Sequence, residues 1–396
     1  MKKITCKIYA VLKNLIFSVL FIAILVNTLA FLAPLFRFEE DELSTGNLST
    51  FYAQEKESVD VVFLGASSVY RFFMPTVMYE KYGITSLNYS SAGMPGEAMS
   101  GLIDEIIDVQ NPKVIVVELR DCIKWTERVT QEDFDKEKWY EAQYSYISRI
   151  VNNIPVSKNR AKVVHDTVPS LLGDDELDWQ FEYLNTHNNW KDITFSDFKS
   201  YVSKKISGEK EVINLNGEYD GAEYKGAIAV SAVDYNKEVD YSDFNETKEI
   251  EPERLKVLDN LIEKAKSVDT EILFLTTPYP EPETLAVYEN YVQKYLSEKG
   301  VAFLNCNKKV KEIGIDFASD FYDKKHTNVK GAVKVTEYVG KYLVDKYNLE
   351  KTKLTDKQQK EWQTAVYKWN KEVLEPGVKK IDETVSKHKA KGSTNY

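Results

Sequence analysis

The stretch Val61-Val62-Phe63-Leu64-Gly65-Ala66-Ser67-Ser68-Val69-Tyr70-Arg71 decides how this chain is read. Four apolar residues, two of them β-branched, predict a short buried strand over 60–64. Gly65 ends the run and two serines follow at once, ahead of a segment that reads as helical over 68–82, with Pro75 near the first turn of one piece. In an open parallel α/β sheet, ligands bind at the carboxyl edge of the strands, so a serine held there is a candidate nucleophile. The competing reading is a helix cap, because a serine hydroxyl accepts hydrogen bonds from free N–H groups. What favours the nucleophile lies near the far end of the chain: Asp323-Lys324-Lys325-His326, then Asn328 and Gly331.

Outward from this stretch the pattern repeats. Apolar runs at 84–89, 114–117, 271–275 and 301–305 read as further strands, and 97–109, 255–264, 283–298 and 329–347 as helices. Strands alternating with helices through short links predict a parallel sheet covered on both faces, with right-handed crossovers. The expected fold class is therefore α/β: a three-layer α/β/α sandwich on a five-stranded, mainly parallel sheet.

The chain has 396 residues and a net charge of −10, which argues against a nucleic-acid groove lined with Lys and Arg. Lys2, Lys3, Lys7 and Lys13 precede an uncharged apolar run over 15–36, and Glu39, Glu40, Asp41 and Glu42 follow it. A helix of that length spans the roughly 30 Å hydrocarbon core of a bilayer. The charge asymmetry places the N-terminus in the cytoplasm and the body outside. The run is long for a signal peptide's apolar region of about 7–15 residues, so an uncleaved anchor is preferred. Cleavage near Ala30 or Ala33 and a buried core helix are the alternatives. The expected organisation is an anchor (1–36), a polar stalk (37–57), a catalytic domain (58–125 and 250–348), an irregular α+β insertion covering the site (126–249), and a C-terminal amphipathic helix and tail (349–396).

In the insertion, Asn216-Gly217 and Asp220-Gly221 signal a hairpin. Its aromatics, among them Trp125, Trp139, Tyr140, Trp179 and Trp190, suit either a sugar-stacking platform or a core of their own. In the tail, Thr355 and Gln358 form a capping-box pattern, and Trp362, Val366, Trp369 and Val373 share a face that docks on the protein's own core or on a partner. Beyond Pro376 the charged tail is expected to fray. The chain shows no cofactor motif, and its three cysteines form no Cys/His cluster with metal spacing, so neither cofactor nor metal is expected. Cys122 and Cys306 read as free buried thiols rather than a disulfide.

A serine hydroxyl needs a base to take its proton, and histidine suits that task at neutral pH. Of the four histidines, His165 and His187 fall in the insertion and His388 in the tail. His326 alone follows the fifth strand, on the loop side where Ser67 also lies. Asp323, three residues earlier, is spaced to hold the Nδ1–H and leave Nε2 facing the serine. The backbone N–H of Ser67 and that of Gly93, just beyond the second strand, are candidate donors to an oxyanion.

Gly65-Ala66-Ser67-Ser68, the 88–93 turn, and the run from Asp323 to Asn328 with Gly331 resemble blocks of the SGNH (GDSL-type) hydrolase superfamily. The resemblance covers roughly 60–120 and 252–348. It implies a flavodoxin-like sheet of order 2-1-3-4-5 and ester chemistry, with Ser67 as nucleophile and Asp323 and His326 completing a triad. Members of that superfamily usually carry an oxyanion-donating Asn after the third strand. Here Arg120 falls at about that place, either as a donor to the oxyanion or an anionic substrate, or as a structural arginine paired with Asp121 or Glu118. The layout also resembles teichoic-acid D-alanylation proteins and membrane-anchored partners of membrane-bound O-acyltransferases. That implies an esterase or O-acyltransferase acting on acyl groups of cell-envelope polysaccharide, with an acylated glycan or acyl donor and a membrane-bound O-acyltransferase as partners. The alternative is a non-catalytic glycan- or partner-binding protein on the same fold.

Overall fold

The structure, a computed structural model, describes residues 2–32, 35, 42–123, 135–180, 191, 193–207, 224–280 and 283–390. In chain order its principal elements are α1 (Lys2–Leu32), α2 (Glu42–Ala53), β1 (Val61–Gly65), α3 (Ser67–Phe72), α4 (Pro75–Tyr82), β2 (Ser86–Ser90), α5 (Gly96–Gln110) and β3 (Val114–Glu118). Then follow α6 (Lys136–Asn153), α7 (Lys158–Leu171), α8 (Glu176–Gln180), α9 (Phe195–Ser207), α10 (Pro252–Ser267), β4 (Glu271–Thr276), α11 (Glu283–Glu298) and β5 (Phe303–Asn305). The chain closes with α12 (Val310–Ile313), α13 (Val329–Tyr347), α14 (Asp356–Lys368) and, after a π turn over Trp369–Leu374, α15 (Glu375–Ala390). Two compact units result: Met1–Glu40 with Asp174–Glu211, and Asp41–Gly173 with Val212–Tyr396.

The larger unit is built on a five-stranded sheet of order β2-β1-β3-β4-β5. Every pairing is parallel, with Val61 opposite Ser86 and Val114, Val114 opposite Glu271, and Phe274 opposite Phe303. This is the expected α/β class, in the doubly wound order 2-1-3-4-5. Strand side chains alternate between faces. Val61, Phe63, Val114, Val116, Leu273 and Leu275 share one face and pack with Phe72, Phe73 and Met78 and with Val335, Val339 and Leu343 of α13. Their neighbours Val62, Leu64, Ile115, Val117 and Phe274 are equally buried. A strand buried on both faces cannot alternate apolar with polar, which is why β1, β3 and β4 read as continuous apolar runs.

The expectations for the stalk and for the tail need correction. Residues 42–53, expected within the stalk, form α2, which packs against β2 with Leu48 and Phe51 fully buried. Phe51 stacks on Tyr89 at 4.2 Å, and Asn47 donates to the Ser90 hydroxyl. The tail beyond Pro376 does not fray. It forms α15, with Ile381 buried beside Trp369 and Val373 in a cluster that also holds Met74, Val77 and Val329, so the tail docks on the protein's own core. Pro376 is the second residue of α15, separated by one residue from the π turn, where the helical ladder is already interrupted, so its missing N–H and ring are tolerated.

The insertion is not one body. Helices α6 and α7 belong with the sheet, α8 and α9 belong to the smaller unit, and 224–250 returns to the larger unit without helix or strand. Among the described residues the insertion contains no strand. The hairpin expected at 216–221, Trp125, Trp190 and His187 lie outside the described residues. Trp179 is buried within the smaller unit, whereas Tyr140 of α6 is exposed.

The smaller unit contains α1, whose segment Val11–Leu29 has a mean hydropathy of 2.0 and is apolar and long enough to cross a membrane. Nineteen residues at ~1.5 Å each come close to the bilayer's hydrocarbon thickness.

Candidate active site

Three chain segments meet at the carboxyl edge of the sheet. The first is the turn from β1 into α3, where Ala66 is extended and Ser67 opens the helix. The opening N–H groups of a helix have no acceptor within it, and Ser67 contributes one of them. The second is the turn after β2. The Ser91 N–H donates to the Gly65 carbonyl, which ties the end of β2 to that of β1, and Met94 N–H closes the turn onto the Ser91 carbonyl. Gly93 sits in that turn at φ +65°, and a Cβ there would lie 2.4 Å from the Tyr146 ring of α6. Glycine is thus required both by the turn and by the ring packed on it.

The third segment is the loop from β5 to α13. Phe321 and Thr327 pair in an antiparallel bridge, and Tyr322 N–H donates to the His326 carbonyl, so residues 321–327 form a pinched loop. Asn328 fixes its base. The Asn328 side-chain amide donates to the carbonyls of Ala232 and Ser319, while its oxygen caps α13 through the N–H groups of Lys330 and Gly331.

Within this frame Ser67 Oγ lies 2.8 Å from His326 Nε2, and His326 Nδ1 lies 2.9 Å from Asp323 Oδ2. The other Asp323 oxygen accepts from the backbone N–H of Lys325 at 2.6 Å and of His326 at 2.7 Å. Burial by itself would raise the Asp323 carboxyl, but its hydrogen bond and charge contact with His326, with the two backbone donors, outweigh that and hold it at about 2. An ionised Asp323 keeps the proton on Nδ1 and leaves Nε2 to accept from the serine. His326 is held below the usual histidine value, first by burial and then by the charges of Arg120 and Arg71, against the pull of Asp323. The neutral imidazole, the form able to act as a base, is therefore favoured.

Arg120 is buried, with its guanidinium 4.6 Å from the Tyr279 ring centre and 5.3 Å from that of Phe72. Its Nη1 donates to the Lys325 carbonyl at 2.8 Å, so Arg120 anchors the loop carrying His326. This contact is one that neither sequence reading of Arg120 included. Cys122 and Cys306 are free thiols. His165 is exposed on α7, and His388 stacks on Tyr235 at 3.9 Å. Among the described residues no group of three or more His, Cys, Asp or Glu is arranged to hold a metal ion.

Several neighbours of the site carry no sequence signal. Ser68 donates to buried Glu118 at 2.5 Å, and the other Glu118 oxygen accepts from the N–H and hydroxyl of Thr277. Burial raises the Glu118 carboxyl, with the charge of Arg120 pulling the other way. The Tyr322 ring stacks on His326 at 5.7 Å, and the Arg71 guanidinium lies 5.2 Å from the Tyr322 ring centre. The strap after 224 crosses all three segments. Asn88 N–H donates to the Lys225 carbonyl, Ile228 N–H to that of Tyr70, Val329 N–H to that of Val230, and the Asn236 amide to that of Asp323. The strap runs through residues 225–236 without helix or strand, so no periodic pattern marked it in the sequence.

Fold and site together define a doubly wound α/β protein with a Ser–His–Asp hydrogen-bonded chain at the carboxyl edge of its sheet. No family model, curated protein or solved structure matches the chain.

Proposed function

We propose that this protein is a membrane-anchored serine esterase or O-acyltransferase acting on acyl esters of cell-envelope polysaccharide, with its site outside the cytoplasm. The observation that carries the reading is the continuous chain Ser67 Oγ–His326 Nε2 and His326 Nδ1–Asp323 at 2.8 and 2.9 Å. In this mechanism Ser67 Oγ attacks the acyl carbonyl while His326 takes its proton. The N–H groups of Ser67 and Gly93 hold the tetrahedral oxyanion. Collapse expels the alkoxide, which recovers the proton from His326, and leaves the acyl group on Ser67. Water or a sugar hydroxyl then attacks that ester, again giving its proton to His326, and Ser67 is regenerated. The base step is usually worth about 10²–10⁴ in rate, and each oxyanion donor about 3–4 kcal/mol.

The apolar span of α1 supports the anchor, and lysines before it with acidic residues after it support a cytoplasmic N-terminus. The polysaccharide class rests on the resemblance of the site motifs and chain layout to envelope-modifying SGNH proteins. The test incubates the full-length protein in detergent micelles with O-acetylated envelope polysaccharide and reads acetate released or moved to an added oligosaccharide. Activity lost in Ser67→Ala and in His326→Ala is the expected result. Equal turnover by wild type and Ser67→Ala contradicts the reading.

A further inference from the structure

We propose that α9 is an interfacial helix whose apolar face lies in the headgroup–acyl boundary of the bilayer that α1 crosses. The inference rests on the anchor reading of α1. At 100° per residue, Phe195, Phe198, Val202 and Ile206 fall within an arc of about 80°, while Ser196, Asp197, Ser200 and Ser203 occupy the opposite side. Most of the apolar face is open: Phe195 and Ile206 are each 80% exposed and Phe198 39%, while Val202 between them is half-buried. An amphipathic helix presenting large side chains to water is unusual in a soluble setting and usual at a membrane surface.

The position of α9 within its unit names the occupant. The Tyr201 ring meets Phe31 of α1 edge-on at 5.7 Å, and its hydroxyl donates to the Phe31 carbonyl at 2.5 Å. Phe31 lies just beyond the apolar span Val11–Leu29. The contact therefore sets α9 at the depth where hydrocarbon gives way to headgroups, the level at which Tyr and Trp rings concentrate. Lys199, at the edge of the apolar arc, can lay its stem along the acyl boundary and keep its charge among the phosphates. Among the described residues none of the span Val11–Leu29 is buried by protein, so lipid is the apolar medium that continues onto α9.

The test uses the full-length chain in phosphatidylethanolamine–phosphatidylglycerol nanodiscs, with p-benzoylphenylalanine replacing Phe195, Ile206, Asp197 or, as an internal reference, Leu20. After irradiation, intact mass reads covalent lipid. The expected result is lipid adduct at Leu20, Phe195 and Ile206, with the latter two at least about fivefold above Asp197. Adduct at Leu20 with none at Phe195 and Ile206, equal yield at Asp197, or crosslinks to protein from α9 overturn the inference and leave the anchor standing. No adduct at Leu20 overturns the anchor itself.

Discussion

Replacing Asp323 with asparagine tests the logic of the site at a single atom. One carboxylate oxygen accepts two backbone N–H groups, at 2.6 and 2.7 Å, and the other accepts His326 Nδ1–H at 2.9 Å. An asparagine has only one acceptor oxygen. Turned with its NH₂ toward the backbone donors, it sets donor against donor twice. Turned the other way, it satisfies both backbone groups and presents NH₂ to Nδ1. The second orientation wins, and it forces Nδ1 to accept. The imidazole proton then sits on Nε2, facing Ser67 Oγ, and the base is lost without any change of shape. The loss expected for a wrong tautomer is about 10⁴ in kcat, equivalent to about 5 kcal/mol of transition-state stabilisation. The assay is p-nitrophenyl acetate hydrolysis by the full-length protein in detergent, with the far-ultraviolet circular dichroism and melting curve of Asp323→Asn recorded alongside. A loss of less than tenfold in a folded variant refutes the reasoning, because His326 would then be working without its orienting carboxylate.

The acid limb of kcat/KM should have its midpoint below the ordinary histidine value of about 6.5, since burial and the charges of Arg120 and Arg71 favour neutral His326. A pH–rate profile with that midpoint at or above 6.5 contradicts this. The same shift means that the unfolded chain protonates first, so His326's contribution to stability should fall as pH drops from about 6.5 toward its lower folded value, a slope that His326→Gln should remove from urea midpoints. Trp369 is fully buried among Met74, Val77 and Val373, so Trp369→Ala should cost about 3–5 kcal/mol in urea unfolding; a cost under about 1 kcal/mol contradicts docking of the tail. Gly226 has φ +84°, and a Cβ there would lie 2.5 Å from the Asn88 carbonyl oxygen. Gly226→Ala should therefore destabilise by about 2–4 kcal/mol, and a neutral effect contradicts the close seating of the strap on β2.

The sheet was legible because β1, β3 and β4 are buried on both faces and so print as unbroken apolar runs. Helices such as α13, half-buried, print a 3.6-residue period. Ser67, Asp323 and His326 were legible because parallel strands bring every β-to-α loop to one edge. What was illegible depends on tertiary partners. Polar residues such as Ser49 and Thr50 make α2 look like a linker, yet Thr50 is buried, and so is Asn47, hydrogen-bonded to the Ser90 hydroxyl on β2. Pro376 reads as a helix stop because a π turn leaves no sequence mark of its own. Arg120 as the anchor of the Lys325 carbonyl, and Tyr146 on Gly93, join residues far apart in the chain through contacts that no local pattern encodes.

The most direct measurement of the central claim is covalent capture of the nucleophile. The full-length protein is treated with a fluorophosphonate, weighed intact and mapped by peptide mass spectrometry. A single phosphonyl adduct on Ser67, absent in Ser67→Ala and slowed by about 10²–10⁴ in His326→Ala, is the predicted result. No adduct, or an adduct on another residue with Ser67 unmodified, contradicts the account.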